Sequence, residues 1–247
     1  MTERENRHPA RTTRLFVDAE LSPRASIELP EDAAHHAARV LRLAAGDRVV
    51  LFDGRGGEYD ATLAMPGRGR VLAETGDWRE LERESPLGVT LVQAVSSGER
   101  MDFTIQKAVE LGVAAIHPVY SERSIVRLAG EREAKKLAHW RRVAIAACEQ
   151  CGRNRVPAVA EPLALASYRA PEGTKILLAP TATRRLAELA RGPLALAAGP
   201  EGGFSEAEEA QLQRDGFVAA SLGPRVLRTE TAALAALAAL NALAGDF

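Results

Sequence analysis

From residue 87 onward, the sequence alternates short segments that are apolar along their whole length with longer amphipathic ones. Continuous apolar runs are typical of strands buried on both faces, whereas the amphipathic segments predict helices. The strand candidates are "VTLVQAV", "VAAIHPVY", "KILLAP", "PLALAA" and "FVAASLG". Strands that alternate with helices in this way predict an α/β domain over residues 87–247, with a parallel sheet covered by helices on both faces.

Residues 1–75 have a different pattern. "RLFVD" predicts a strand, "PEDAAHHAARVLRL" a short helix with acids in its first turn, and the turn "DGRGG" a hairpin between two further strands. A unit of this size buries little apolar surface, and we interpret it as a small barrel-like domain. The charged, proline-containing stretch 76–86 is predicted to be a linker.

The formal net charge of the 247-residue chain is −1, so the molecule as a whole does not attract nucleic acid or membrane. A polyanionic partner would therefore have to bind a local basic patch. The charged amino-terminal segment lacks the apolar stretch of a signal peptide, and the alanine-rich run 232–243 is too short to span a bilayer. We expect a cytoplasmic protein with no membrane partner.

Cys148 and Cys151 lie three residues apart within a helical pattern. A single C-x-x-C is compatible with a redox pair or half of a zinc site. No second pair and no histidine at ligand spacing accompany it, so we interpret both cysteines as small apolar residues on a helix and expect no metal site.

The stretch "LAAGPEGGFSEAEEA" places a glycine loop between a strand and a helix, where α/β proteins commonly bind phosphate. It matches neither the P-loop nor the dinucleotide fingerprint. Ser205 and Glu208 predict a capping box, and the other glutamates of the first turn would repel a phosphate. A ligand without phosphate, such as S-adenosyl-L-methionine (SAM), fits better; a tight turn without a ligand is the alternative.

A second loop of the same type, "SLGPRVLRTETAAL", also follows a strand and precedes a helix. Open α/β sheets bind ligands in the crevice outside the carboxyl ends of their strands. The two loops together therefore predict one ligand site at that edge of the sheet.

Several segments, in order along nearly the whole chain, resemble the RsmE family of bacterial ribosomal RNA uridine N3-methyltransferases, within the knotted SPOUT superfamily. They are "HHAARVLRLAAGD", "FDGRGGEYDA", "ERMDFTIQKAVELGV", "SERS", "AIAACEQCGRNRVP", "GPEGGFS" and "LGPRVLRTETAAL". The resemblance implies a PUA-like β-barrel for RNA, a SPOUT domain with a trefoil knot, SAM as the cofactor, a homodimer, and 16S rRNA or the small ribosomal subunit as the partner. One departure is visible: relatives often have a lysine near Ser96–Gly98, a contact that is either absent here or supplied by Arg100.

The resemblance also implies site residues. The two loops imply cofactor contacts by Gly199, Pro200, Glu201, Gly202, Gly203, Leu222, Gly223, Val226, Leu227, Arg228 and Thr229. For catalysis the candidates are Arg228 and Arg153, to stabilise a developing oxyanion, and Glu230, to orient an arginine or accept a proton. Each has a plain alternative: Arg153 could belong to a solvated helix end, and Glu230 could simply be an acid at a helix start.

Candidate RNA contacts lie where positive charge gathers, although most charged runs are merely solvated faces. They are Arg11, Arg14, His36, Arg39, Arg123, Arg153, Asn154 and Arg155. The densest basic region continues through Arg127, Arg132, Lys135, Lys136, Arg141 and Arg142. Two rival functions remain open at this point: a SPOUT methyltransferase that acts on a different RNA nucleotide, and a non-catalytic RNA-binding assembly factor.

Overall fold

The computed structural model of the protein describes residues 12–67 and 69–247, and the chain forms two compact units. The first unit takes the described residues as far as Arg83 together with Glu149–Val156. The second takes Glu84–Cys148 and Pro157–Phe247. The predicted RNA contact Arg11 lies outside the described residues.

The first unit is built on a five-stranded sheet with the order β1-β3-β4-β5-β2. β1 and β3 are parallel, and the other neighbouring strands are antiparallel. The strands are β1 (Thr13–Phe16), β2 (Ser26–Glu28), β3 (Arg48–Phe52), β4 (Glu58–Gly67) and β5 (Arg70–Arg79). Alternate residues such as Leu51, Leu63 and Ala73 are fully buried and form the core of this unit.

Two details of the first unit differ from the sequence prediction. The predicted helix is short: α1 (Glu31–His35) continues only as a π-helical turn, His36–Val40. β5 continues to Arg79, so the first part of the predicted linker is strand, because Trp78 and Arg79 pair with β4.

The second unit contains a seven-stranded sheet in which every neighbouring pair is parallel. Six strands follow the order β12-β10-β11-β6-β7-β8, and β9 also pairs with β7. The strands are β6 (Val89–Ala94), β7 (Ala115–Tyr120), β8 (Ala158–Val159), β9 (Leu163–Ala164), β10 (Thr174–Leu178), β11 (Leu194–Ala198) and β12 (Val218–Ala220). The predicted α/β fold with a parallel sheet is confirmed, whereas the trefoil knot stays a prediction.

Four helices accompany this sheet: α2 (Glu99–Glu110), α3 (Glu131–Cys151), α4 (Glu206–Arg214) and α5 (Thr229–Ala244). Between β10 and β11, Leu186–Glu188 forms only a single 3₁₀ turn. Cys148 is buried on α3, and neither Cys148 nor Cys151 forms a disulfide within the described part of the chain. Within the described part of the chain, no helix combines the length and apolar character needed to cross a membrane.

The strand order positions the two glycine-containing loops. β11 lies between β10 and β6, and β12 pairs with the other edge of β10. All these strands run in the same direction, so the loops that follow β10, β11 and β12 emerge at one edge of the sheet. This edge is where an open α/β fold binds its ligands.

Candidate functional site

A cavity of about 380 Å³ opens at this edge of the sheet. Three strand ends, the two loops and the first turn of α5 surround it. Its lining includes Leu178–Pro180, Ala198–Glu201, Gly203, Phe204, Glu209, Leu222, Gly223, Arg225–Glu230 and Arg100. The volume lies within the range of small-molecule sites.

The glycine loop after β11 depends on close backbone packing. A Cβ atom at Gly199 would lie 3.0 Å from the backbone nitrogen of Phe204 and 3.2 Å from the carbonyl carbon of Gly203. Gly203 has a φ of +69°, a conformation that favours glycine, and its N–H donates to the Pro200 carbonyl at 2.9 Å. The loop therefore folds back on itself and presents main-chain groups to the cavity.

The helix that follows begins as predicted. The Ser205 side chain accepts a hydrogen bond from the Glu208 N–H, and the Glu208 carboxylate accepts one from the Ser205 N–H, which completes the capping box. Glu206, Glu208 and Glu209 are all in its first turn, and Glu209 lines the cavity. The helix N-terminus is thus already supplied with carboxylates, as expected for a site that does not bind phosphate.

Thr229 joins the two loops. Its hydroxyl donates to the Gly199 carbonyl at 2.5 Å and accepts a hydrogen bond from the Gln93 side-chain amide at 3.1 Å. Thr229 and Gln93 are both buried. The loop before α5 is therefore tied to the glycine loop and to the end of β6, and the cavity is preformed.

Glu201 is fixed at the edge of the cavity. Its carboxylate accepts hydrogen bonds from the Ser97 N–H at 3.1 Å, the Ser97 hydroxyl at 3.0 Å and the Arg100 guanidinium at 2.7 Å. Burial would raise the pKa of Glu201, but backbone hydrogen bonds and Arg100 outweigh it and the pKa is lowered. Arg100 also lines the cavity, so it provides a cation beside Ser96–Gly98.

The two candidate catalytic residues of α5 both line the cavity. Arg228 is the exposed N-cap residue of the helix, and no ion pair of its guanidinium is found within residues 12–67 and 69–247. Glu230 lies in the first turn, and its buried Oε2 atom has no hydrogen-bond partner among the described residues. A buried, unsatisfied carboxylate oxygen is costly, and a donor on a bound ligand would satisfy it.

The cavity brings together nearly all of the predicted cofactor residues. Gly202 is the exception, because it faces away from the cavity and packs against the side chain of Arg123. The sequence reasoning missed Leu178–Pro180, which follow β10. The Pro180 that ends "KILLAP" is a strand-end signal of the same kind as the two loops, so it could have been included.

Three predicted RNA contacts lie instead in the interior of the first unit. Arg14 forms an ion pair with Glu58 and donates to the Asn154 side chain at 2.5 Å and to the Arg153 carbonyl at 3.3 Å. The Arg14 side chain is 8% exposed, Arg153 is 3% exposed and Asn154 is fully buried. Arg14 and Asn154 thus hold the buried Glu58 carboxylate, and RNA contact by these three residues stays a prediction. Arg153 does not line the cavity, so its catalytic role stays a prediction.

The remaining predicted contacts of the first unit are more accessible. Arg39 is exposed, and the His36 side chain is 38% exposed with its Nε2 atom 3.8 Å from Glu149. The Arg155 side chain is 57% exposed and lies 3.5 Å from Glu82. These three positions are compatible with RNA contact, which stays a prediction.

Comparison with known proteins identifies the family of both units. Residues 83–241 match the RNA methyltransferase domain, and residues 29–75 match the RNA methyltransferase PUA domain. A Legionella pneumophila protein solved with bound SAM is 41% identical, with a TM-score of 0.93 over 96% of this chain and 100% of that one. The SAM-bound ribosomal RNA small subunit methyltransferase E of Neisseria gonorrhoeae is 42% identical, with a TM-score of 0.88. The match covers 96% of this chain and 99% of the Neisseria chain.

Sequence relatives over the whole length carry the same name. Ribosomal RNA small subunit methyltransferase E of Buchnera aphidicola from Schizaphis graminum is 34% identical over 96% of this chain and 98% of its own. The Bacillus subtilis protein of that name is 31% identical over 85% of this chain and 87% of its own length. A domain match over residues 83–241 and relatives more than 30% identical over most of both chains show that this chain belongs to the ribosomal RNA small subunit methyltransferase E family.

Proposed function

We propose that this protein transfers the methyl group of SAM to N3 of a uridine in 16S ribosomal RNA. The observation that carries the proposal is the cavity at the carboxyl edge of the sheet, which is lined by two loops that the Thr229–Gly199 hydrogen bond joins, with carboxylates at the start of the helix after the first loop. The SAM-bound relatives, which align over nearly the whole chain, support the same ligand. Since ribosomal RNA is the substrate, we place the protein in the cytoplasm.

The residues of the cavity fit SAM. Apolar side chains such as Leu178, Val226 and Leu227 offer a surface for an adenine ring, and the glycine loop allows its main chain to approach a ribose. Glu209 and Glu230 offer carboxylates to the cationic part of the cofactor. The unsatisfied Oε2 atom of Glu230 is the specific feature that a ligand donor would complete.

The chemistry places two demands on the protein. Uridine N3 becomes a nucleophile only after it loses its proton, and the resulting negative charge spreads over O2 and O4. Arg228 is always charged and stands at the cavity wall, so it would stabilise that charge. Glu230 would accept the proton or orient Arg228. SAM itself supplies the methyl group, which leaves the protein to align the two reactants.

A methyl-transfer assay tests the proposed function directly. Labelled SAM would be incubated with the protein and small ribosomal subunits that lack native methylation, and the labelled nucleoside would be identified by digestion and mass spectrometry. We expect label in 3-methyluridine. Label in another nucleoside would contradict uridine N3 as the target but would still support methyl transfer from SAM to RNA. Absence of both label and SAM binding would refute the methyltransferase function.

The glycine loop provides a test of the cofactor site. We expect Gly199→Ala to weaken SAM binding at least tenfold, because the added Cβ would meet backbone atoms at 3.0 to 3.3 Å and displace the loop. Calorimetric titration of SAM gives the dissociation constant. Gly130→Ala is the control for a strained glycine outside the cavity lining: its φ is +58°, but an added Cβ would meet no described atom within 4 Å, so we expect lower stability with unchanged SAM affinity. Equal SAM affinity of the Gly199 variant and the wild type would argue against this loop as the cofactor site.

We infer that exposed cations of both units contact the RNA backbone. On α3, Arg132, Lys135, His139 and Arg142 follow helical spacing along one face, where the side chains are exposed or partly exposed. In the first unit, His36, Arg39 and Arg155 remain candidates. Such contacts supply affinity without sequence specificity.

Salt dependence tests the α3 face. We expect the double variant Arg132→Ala, Arg142→Ala to reduce the slope of log binding constant against log salt by about 1 to 2, because two phosphate contacts are lost. Filter binding of the RNA across a salt series measures this slope. The control Arg191→Ala, Arg214→Ala removes the same charge from exposed positions elsewhere in the second unit. Equal slopes for the two variants would exclude the α3 face.

We also propose that the protein is a homodimer, as the family resemblance implies. α5 is apolar around most of its circumference, yet Leu234, Ala235 and Ala238 are only half-buried, and the Leu243 side chain is 53% exposed. An apolar helix face with incomplete cover favours a partner subunit. Light scattering of the purified protein measures the mass, and a monomer at micromolar concentration would contradict the proposal.

A further inference from the structure

The turn after β7 is closed by two buried serines. Ser121 and Ser124 bond to each other through their hydroxyls at 2.9 Å, and the Ser121 N–H donates to the Ser124 hydroxyl at 3.1 Å. Their side chains are directed inward, with 1% and 8% of each residue exposed. The two residues between them, Glu122 and Arg123, are therefore presented outward from a rigid turn.

These two residues contact the glycine loop and the helix behind it. The Arg123 guanidinium donates from Nη1 to the Gly202 carbonyl at 2.9 Å and to the Phe204 carbonyl at 3.3 Å. The Glu122 N–H donates to Glu208 Oε1 at 2.7 Å, while Oε2 of the same carboxylate completes the capping box with Ser205. The turn thus holds both the loop and the first turn of α4.

The glycine loop has two distinct sides. Gly199, Pro200, Glu201 and Gly203 line the cavity, whereas Gly202 does not. A Cβ atom at Gly202 would lie 3.4 Å from both Cβ and Cδ of Arg123, so the arginine stem packs along the Gly202 backbone. The cavity-facing conformation of the loop is therefore supported from behind by this one side chain.

We propose that Arg123 is a positioning residue for the cofactor loop and not a contact to RNA. The inference rests on the proposed function, since it assigns to Arg123 the task of preforming the SAM site. A loop that is already held in its binding conformation loses less entropy when the ligand binds. The contact of Arg123 with the loop should therefore increase the affinity for SAM. An RNA contact would instead appear as salt-dependent affinity for RNA.

Two variants of Arg123 separate the roles. We expect Arg123→Ala to raise the dissociation constant and the KM for SAM about tenfold, with kcat at saturating SAM and RNA affinity close to those of the wild type. Arg123→Lys keeps the charge but not the planar guanidinium, so it should recover only part of the SAM affinity. Arg191→Ala is the matched control, an exposed arginine outside both the cavity and the α3 face that should leave SAM binding and RNA affinity unchanged.

The outcomes are distinguishable. SAM affinity unchanged in Arg123→Ala, with a weaker and less salt-dependent RNA affinity that Arg123→Lys restores, would overturn the inference and return Arg123 to the RNA surface. If Arg123→Ala fails to fold in thermal unfolding, the Lys variant decides, because full SAM affinity in it would also overturn the inference. Failure of the wild type to bind SAM would instead refute the proposed function.

Discussion

Replacing Arg228 with alanine is expected to lower the rate of methyl transfer by about 10²- to 10³-fold, the range found when a donor to a developing oxyanion is removed. Arg228 lines the cavity at the N-terminus of α5. The negative charge on O2 and O4 arises only as N3 loses its proton, so the loss should fall on kcat and not on SAM affinity. Single-turnover methylation with excess enzyme measures the rate, and titration measures the affinity.

The same loop contains a matched control. Arg225 is also exposed and also lines the cavity, so Arg225→Ala removes one equal charge three residues away. We expect that variant to retain most of the rate. Arg228→Lys should restore only part of the activity, because an ammonium does not reproduce the forked donors of guanidinium. Equal rates of methyl transfer for the Arg228→Ala and Arg225→Ala variants would mean that the two arginines affect the rate only through their positive charge. Arg228 would then have no specific catalytic role.

Glu58→Gln is expected to destabilise the first unit by about 3 to 5 kcal/mol, the cost of leaving a buried charge without its partner. The Glu58 side chain is 3% exposed and pairs with Arg14 and, at 2.6 Å, with Arg79. Arg14 also packs its guanidinium over the Phe52 ring, 4.8 Å from the centroid, and its side chain is only 8% exposed. Urea unfolding at neutral pH measures the loss.

The pH dependence follows from the direction of the pKa shift. Burial alone would raise the pKa of Glu58, but Arg14 and Arg79 outweigh it, so the pKa in the folded state lies below the unfolded value. The carboxylate therefore contributes stability above its unfolded pKa, and this contribution is lost as the pH falls through the lowered folded pKa. The difference between wild type and Glu58→Gln should accordingly shrink as unfolding is repeated at increasingly acid pH.

Glu28→Gln provides the surface comparison in the same unit. Glu28 forms a two-point ion pair with Arg70, at 2.8 and 2.6 Å, but both side chains are about half exposed. Exposed ion pairs contribute little, so we expect a much smaller loss of stability than that of Glu58→Gln. Similar losses for the two glutamine variants would contradict the interpretation of Glu58 as a buried charge that Arg14 and Arg79 must neutralise.

The sequence was most informative where structure depends on neighbouring residues. Ser205 and Glu208 are three residues apart, so the capping box could be predicted, and the structure contains it. The apolar runs at β6, β10 and β11 predicted buried parallel strands for the same reason. Because carboxyl ends of parallel strands share one edge, the loops around Gly199 and Arg228 could be assigned to one site, and both line the cavity.

Pairings between distant residues were decided only by the tertiary structure. Arg14 meets Asn154 across 140 positions of sequence, and Arg123 meets Gly202 across 79. In the sequence these arginines are indistinguishable from the exposed Arg39, because a charged residue carries no local signal of its partner. The amino-acid order therefore determined the elements, the helix caps and the edge at which the ligand site lies. Folding decided which charges are buried and which support the loop, since hydrogen bonds depend on distances in space that periodicity does not encode.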